Sequence, residues 1–335
     1  MRCAVLAAVS LPFVFTGLPL HAADLSDLTF STTNGEVTIT DCDPAATGEL
    51  VIPDNIEGSP VTSIGEWAFN RSRLTSITIP DSVTSIEDYA FSACTRLTSI
   101  TIPDSVTTIG RNAFYRCSAL TSITIGNGVT SIGERAFSSC SDLTSIEIPD
   151  SVARIEVLAF IGCINLLSIT IPDSVTTIGD GAFYRCSALT SITIPDSVTS
   201  IGDSAFLECS SLSSITFLGT APTVGANSFG VVEDGARAYV GERFVASFGT
   251  EGSTWTGLTV AIQRAITACG FMNATTFFIE FEPAGAGYRV MSSPTLDFGN
   301  SAQVTPTLEP TSAEDNRFEF AVSGARNFYR IEPTE

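Results

Sequence analysis

Apolar positions in the middle of the chain recur in one fixed order. From Leu74 to about Ser211 a 23-residue unit is written six times, and the copy starting at Leu189 reads LTSITIPDSVTSIGDSAFLECSS. Leu recurs at 74, 97, 120, 143, 166, 189 and 212, and Phe at 91, 114, 137, 160, 183, 206 and 229. Cys recurs at 94, 117, 140, 163, 186 and 209. Self-similarity at this period signals a stacked solenoid. Within the unit, Ile192 and Ile194 alternate with Ser191 and Thr193, the period of a strand with one buried face. Pro195-Asp196-Ser197 is turn chemistry and ends the strand. Val198–Ile201 predicts a second short extended piece, Gly202 permits a bend, and Ser204–Cys209 predicts a helical turn with Ala205, Phe206 and Cys209 inward. So few inward residues cannot fold one rung alone, so neighbours must bury them.

The flanks read differently. Residues 24–50 predict a β-hairpin cap around Asn34-Gly35, which would cover the first rung's open edge. The solenoid is expected over 51–235, its first rung enlarged by Glu57-Gly58-Ser59-Pro60. Residues 236–264 read as a C-terminal cap and linker. Residues 265–335 read as a small all-β module, with short alternating strands at Thr276–Phe281, Tyr288–Met291, Gln303–Thr305, Arg317–Val322 and Asn327–Ile331.

Residues 1–23 predict a cleaved signal peptide: Arg2, an apolar run from Ala4 to Leu20, then Ala22 and Ala23 before Asp24. The run is short and broken by Pro12 and Pro19, which argues against a span, so an exported chain without a membrane segment is expected. Removal of the leader would take His21, the single histidine. All 16 basic residues are Arg, against 36 acidic ones. An acidic surface of this kind repels nucleic acid and anionic lipid, so no nucleic-acid partner is expected.

The pattern L-x-x-I-x-I-P-x-x-V-x-x-I-x-x-x-A-F-x-x-C-x-x resembles the BspA-type leucine-rich repeat of bacterial surface proteins, over roughly residues 30–262. The resemblance implies a curved solenoid of short parallel strands and short helical turns. It also implies an exported or cell-surface protein of the adhesive kind, whose ligands vary.

Chemistry is constrained accordingly. Without His or Lys in the mature chain, triads, Schiff bases and histidine zinc sites are out of reach, and no enzyme and no cofactor are expected. The cysteines Cys94, Cys117, Cys140, Cys163, Cys186 and Cys209 occupy one position, so stacked rungs place them ~5 Å apart with parallel side chains. That favours a ladder of buried thiols over bridges between neighbours such as Cys94 and Cys117. Asp81, Asp104, Asp150, Asp173 and Asp196 form another column, with Asn127 in between. It is either turn chemistry, which is favoured, or a calcium ridge. The candidate binding face is a pair of hydroxyl columns on the solvent side of the first strand: Ser76 and Thr78, Ser99 and Thr101, Ser122 and Thr124, Ser168 and Thr170, Ser191 and Thr193. In the remaining rung Glu147 interrupts the second column beside Ser145. Its expected partner is an extracellular protein or glycan. The alternative is a structural matrix or surface-layer component with no dedicated ligand site.

Overall fold

The computed structural model describes residues 21–263 and, beyond them, the backbone of five strands between 266 and 333. The chain divides into two compact units, one holding the residues up to 239 with 246–261, the other 240–245 with 262–335.

In the first unit the repeat closes into rungs with three sides. The first side is the strand predicted from LTSITI, seen at Arg73–Thr78, Ser99–Ile102, Ser122–Ile125, Ser145–Glu147, Ser168–Thr170, Ser191–Ile194 and Ser214–Phe217, with Ala46–Val51 ahead of them. Pairing is parallel and keeps equivalent residues level: Ile77 faces Ile100, which faces Ile123. The second side is a two-residue strand per rung, from Ser85–Ile86 to Thr223–Val224. The hairpin Leu28–Thr33 and Glu36–Cys42 turns at Asn34 and Gly35, both at positive φ, and Glu36–Cys42 pairs parallel with Ser59–Ile64. It therefore covers the N-terminal edge of the second side.

The third side corrects the expected helical turn. Ser204–Cys209 is a run of tight turns in which Ser204 and Glu208 take φ of 55° and 60°, opposite in sign to a right-handed helix. Alternate N–H groups have alternate destinations. Phe91 N donates to Ala113 O of the next rung at 2.8 Å, while Ser92 N donates back to Tyr89 O at 2.9 Å. Half of this backbone is thus satisfied by stacking and half locally. The geometry repeats in every rung, so two columns of left-handed residues run along this side. One is Trp67, Tyr89, Asn112, Arg135, Leu158, Gly181, Ser204 and Asn227, and the other Arg71, Ala93, Arg116, Ser139, Gly162, Arg185, Glu208 and Val231. A left-handed non-glycine residue costs roughly 1–2 kcal/mol, and glycine's extra chain entropy costs about 0.5–1. Ser139→Gly is therefore expected to raise stability by about 0.5–1 kcal/mol, read as a higher urea midpoint at unchanged slope. A lower midpoint would mean that the strain is already relieved elsewhere.

The core is made of the recurring columns. Leu97, Ile109, Val106, Ala113, Phe114 and Cys117 are all essentially inaccessible, as are their equivalents along the array. The phenylalanines stack nearly parallel from Phe69 to Phe229, with centroids 5.1–5.5 Å apart. An aromatic cap follows the last rung, in which Phe248 and Trp255 lie 5.0 and 5.2 Å from the ring of Phe217, a strand residue outside that stack.

The strand ladders are interrupted midway. Neither Ser122–Ile125 with Ser145–Glu147 nor Ser131–Ile132 with Arg154–Ile155 forms a continuous ladder, and Thr144 N stands 3.5 Å from Thr121 O. The turn side bridges this break, with Arg135, Phe137 and Ser139 N–H groups donating to Val157, Ala159 and Ile161 at 3.1, 2.9 and 2.7 Å.

The second unit contains one antiparallel sheet, in the order Ile266–Asn273, Thr276–Phe281, Ala286–Met291, Ala325–Pro333, Arg317–Val322. The expected strand at Gln303–Thr305 lies outside the described residues.

Candidate functional site

Hydroxyl groups cover the solenoid, and the structure sorts them into two kinds. Thr98, Thr121 and Ser213 stand at the corner before the first strand, and each Oγ donates to the carbonyl of the preceding rung at 3.0–3.4 Å. Thr84, Thr107, Thr130, Thr176, Thr199 and Thr223 do the same ahead of the second strand, at 3.1–3.4 Å. Ser105, Ser174 and Ser197 donate from the intervening turn at 2.7 Å. These hydroxyls lace the rungs together.

The two columns singled out on the first strand behave otherwise. Ser99 lies level with Ser76 and Ser122, Thr101 with Thr78 and Thr124, and Ser145 and Glu147 with Ser168 and Thr170. Ser191 and Thr193 lie level with Ser214 and Thr216. All twelve are exposed except half-buried Ser76. None of their side chains hydrogen bonds within the described residues, although the neighbouring threonines do. Their donors and acceptors are therefore turned to solvent in register. Ladder breaks before Ser145–Glu147 and again after Ser168–Thr170 divide the face into three blocks, with Glu147 in the middle one. Val51 continues the outer column beyond Thr78, and Leu167 stands exposed beside Ser168, so the face begins and is interrupted by apolar side chains.

The cysteine column runs inside. Cys94, Cys117, Cys140, Cys163, Cys186 and Cys209 are free and buried, and each Sγ donates to a phenylalanine carbonyl of the preceding rung, 2.9–3.2 Å away. Burial pushes Cys163 and Cys209 up to about 12. The aspartate column stays at exposed turns, where Asp104 Oδ1 accepts Asn127 N–H at 2.7 Å. Among the described residues the one cluster with metal-ligand spacing is elsewhere, at His21, Asp27 and Asp43. There His21 Nε2 lies 2.5 Å from Asp27 Oδ1, and that hydrogen bond raises the imidazole pKa. Arg185 donates to Glu208 at 2.8 Å and lies over the Tyr184 ring, so it is paired rather than simply solvated. Arg116 lies over Tyr115 in the same way.

The profile of the BspA type leucine rich repeat region matches residues 49–166 and 130–233, in six copies. The chain belongs to the BspA-type leucine-rich repeat family. No curated protein matches it. Among solved structures, this BspA-type chain is similar to a leucine rich cell surface protein from Faecalibacterium prausnitzii A2-165, at 39% identity and a TM-score of 0.53, over 57% of this chain and 53% of that one. It thus spans about half of that neighbour's length. It is also similar to a leucine rich repeat protein of T. pallidum, at 25% identity and a TM-score of 0.51, over 71% of this chain and all of that one. No helix among the described residues is long and apolar enough to cross a membrane.

Two features of this BspA-type solenoid escaped the sequence reading. One is the pair of left-handed columns, for which Asn112, Gly162, Gly181 and Asn227 were the available signal. The other is the stacked pair Trp67 and Tyr89, whose shared repeat position is disguised by the 22-residue step of the first rung.

Proposed function

We propose that the chain is an exported or cell-surface, non-enzymatic binding protein that presents its first-strand face to an extracellular protein or glycan. The observation that supports this is the division of labour among hydroxyls. Columns that join rungs are bonded internally, whereas the strand-face columns keep their hydrogen-bonding groups free, in register and exposed. Solenoids bind through extended surfaces of this kind. The cell-surface neighbour in Faecalibacterium agrees with the location.

Arginine at Thr101, Thr124 and Thr170 is expected to reduce capture by immobilised matrix proteins and polysaccharides at least tenfold. Stability should stay within about 0.5 kcal/mol, because these side chains are exposed and make no hydrogen bond among the described residues. Undiminished capture by the folded triple variant would refute the strand-face assignment. Thr107→Val is the control: it removes an inter-rung hydrogen bond, so it should lower stability by about 1 kcal/mol and leave capture alone.

A further inference from the structure

Among the described residues Asp27 is the one buried carboxylate, 7% exposed. Both its oxygens are engaged by the segment ahead of it. Oδ1 lies 2.5 Å from His21 Nε2, and Oδ2 accepts the Asp24 N–H at 2.7 Å. The Asp43 carboxylate stands beside them, with an oxygen within 4.8 Å of the ligand atoms of both His21 and Asp27. A buried carboxylate next to a second one is costly without a cation. In the full chain His21 is the one ion-pair partner of Asp27 among the described residues.

His21 lies on the leader side of the cut expected between Ala23 and Asp24. Removal of the leader therefore takes the imidazole and leaves the two carboxylates. It also makes a new cation. Hydrolysis of the Ala23–Asp24 peptide bond by a signal peptidase puts a carboxylate on Ala23, which departs, and an ammonium on Asp24 at neutral pH. That nitrogen already stands 2.7 Å from Asp27 Oδ2. The contacts that hold it there belong to the retained chain. Asp24 Oδ1 accepts Ser26 N at 2.7 Å and Ser26 Oγ at 2.6 Å, and Asp27 N donates to Asp24 O at 3.1 Å. Asp27 is in turn tied to the hairpin cap. Its carbonyl accepts Asp43 N at 2.8 Å, and the next residue, Leu28, pairs with Cys42.

We propose that removal of the leader exchanges His21 for the new α-ammonium of Asp24 as the counter-charge of Asp27, and that this ion pair locks the N-terminal cap. An amide N–H on the carboxylate becomes an ammonium, and hydrogen bonds between two charged groups are the stronger kind. A chain that lacks His21 and has its amino terminus blocked or extended keeps Asp27 buried with no cation. The inference rests on the expected cut before Asp24 and does not depend on the strand-face assignment.

Three chains ending at Glu335 and differing in their start would be compared. One begins at Asp24 with a free amine, one is acetylated at Asp24, and one carries Ala22 and Ala23 ahead of it. The free-amine chain should melt at least about 3 °C above the other two. Its Asp43 amide, which donates to Asp27 O, should exchange with solvent at least tenfold more slowly. Asp27→Asn, which keeps the size and an acceptor but no charge, should abolish both differences. The proposal is overturned if the three chains melt and exchange alike, or if the differences persist in Asp27→Asn. The intact mass of the exported protein checks the cut by itself: Asp24 as first residue is expected, and any other start overturns the exchange in the native protein whatever the three chains show.

Discussion

Phe137→Ala is expected to lower stability by about 3–5 kcal/mol and to split one unfolding transition into two. Phe137 is fully buried and stacks on Phe114 at 5.4 Å and on Phe160 at 5.5 Å. Its carbonyl also accepts a hydrogen bond from the Cys163 Sγ. The substitution removes stacking on both sides and opens a cavity where the strand ladders are already interrupted. In a linear array the two halves communicate only through the junction between these rungs. Equilibrium urea unfolding followed at the two tryptophans, one near each end of the array, is the measurement. Trp67 and Trp255 should report separate midpoints in the variant and one in the parent. A single coincident transition would show that the turn-side hydrogen bonds alone keep the array cooperative. Phe137→Leu keeps most of the volume and should cost under about 1.5 kcal/mol without the split.

Alkaline pH should have a comparably large effect. Cys163 and Cys209 are pushed up to about 12 by burial. Burial also raises Cys117, Cys140 and Cys186, while Cys94 is raised first by its hydrogen bond with Cys117. In the unfolded chain these thiols ionise near 9. Between about 9 and 12 the unfolded state therefore holds fewer protons than the folded one, and stability falls as pH rises. Each such thiol contributes about 1.4 kcal/mol per pH unit there, so Cys163 and Cys209 together lose about 3 kcal/mol by pH 10, and the other four add to the fall. The chain has no lysine, so the other groups that titrate in this window are its six tyrosines and the cysteines outside the column. Urea midpoints at pH 8, 9 and 10 should drop steeply, and Cys140→Ala with Cys163→Ala should make the drop shallower. A midpoint flat across that range would rule out the neutral thiol ladder.

Much of the fold is legible in residue order, because each side chain of the repeat has one job. The inward positions, such as Leu97, Ile100, Val106, Phe114 and Cys117, are the buried ones. The turn side is the instructive failure. Ala113, Phe114 and Cys117 have helical spacing, and an isolated segment would satisfy its N–H groups by winding. In the array alternate N–H groups find carbonyls in the next rung, so stacking holds the backbone out of a helix.

The candidate site divides in the same way. Thr98, Ser99 and Thr101 are all exposed and chemically alike, and no local rule separates them. Only the register of the rungs puts the Thr98 hydroxyl against Thr75 O and leaves the other two free. Likewise only stacking brings Trp67 over Tyr89 and sets the Glu87 carboxylate against Ser63 Oγ and the Glu66 amide. The sequence by itself determined the period, the inward columns and the solenoid, since burial acts on each rung in the same way. The tertiary structure alone decided which polar groups are used up between rungs and which face solvent. That choice depends on distances of about 3 Å between residues some 23 apart, which no single rung contains.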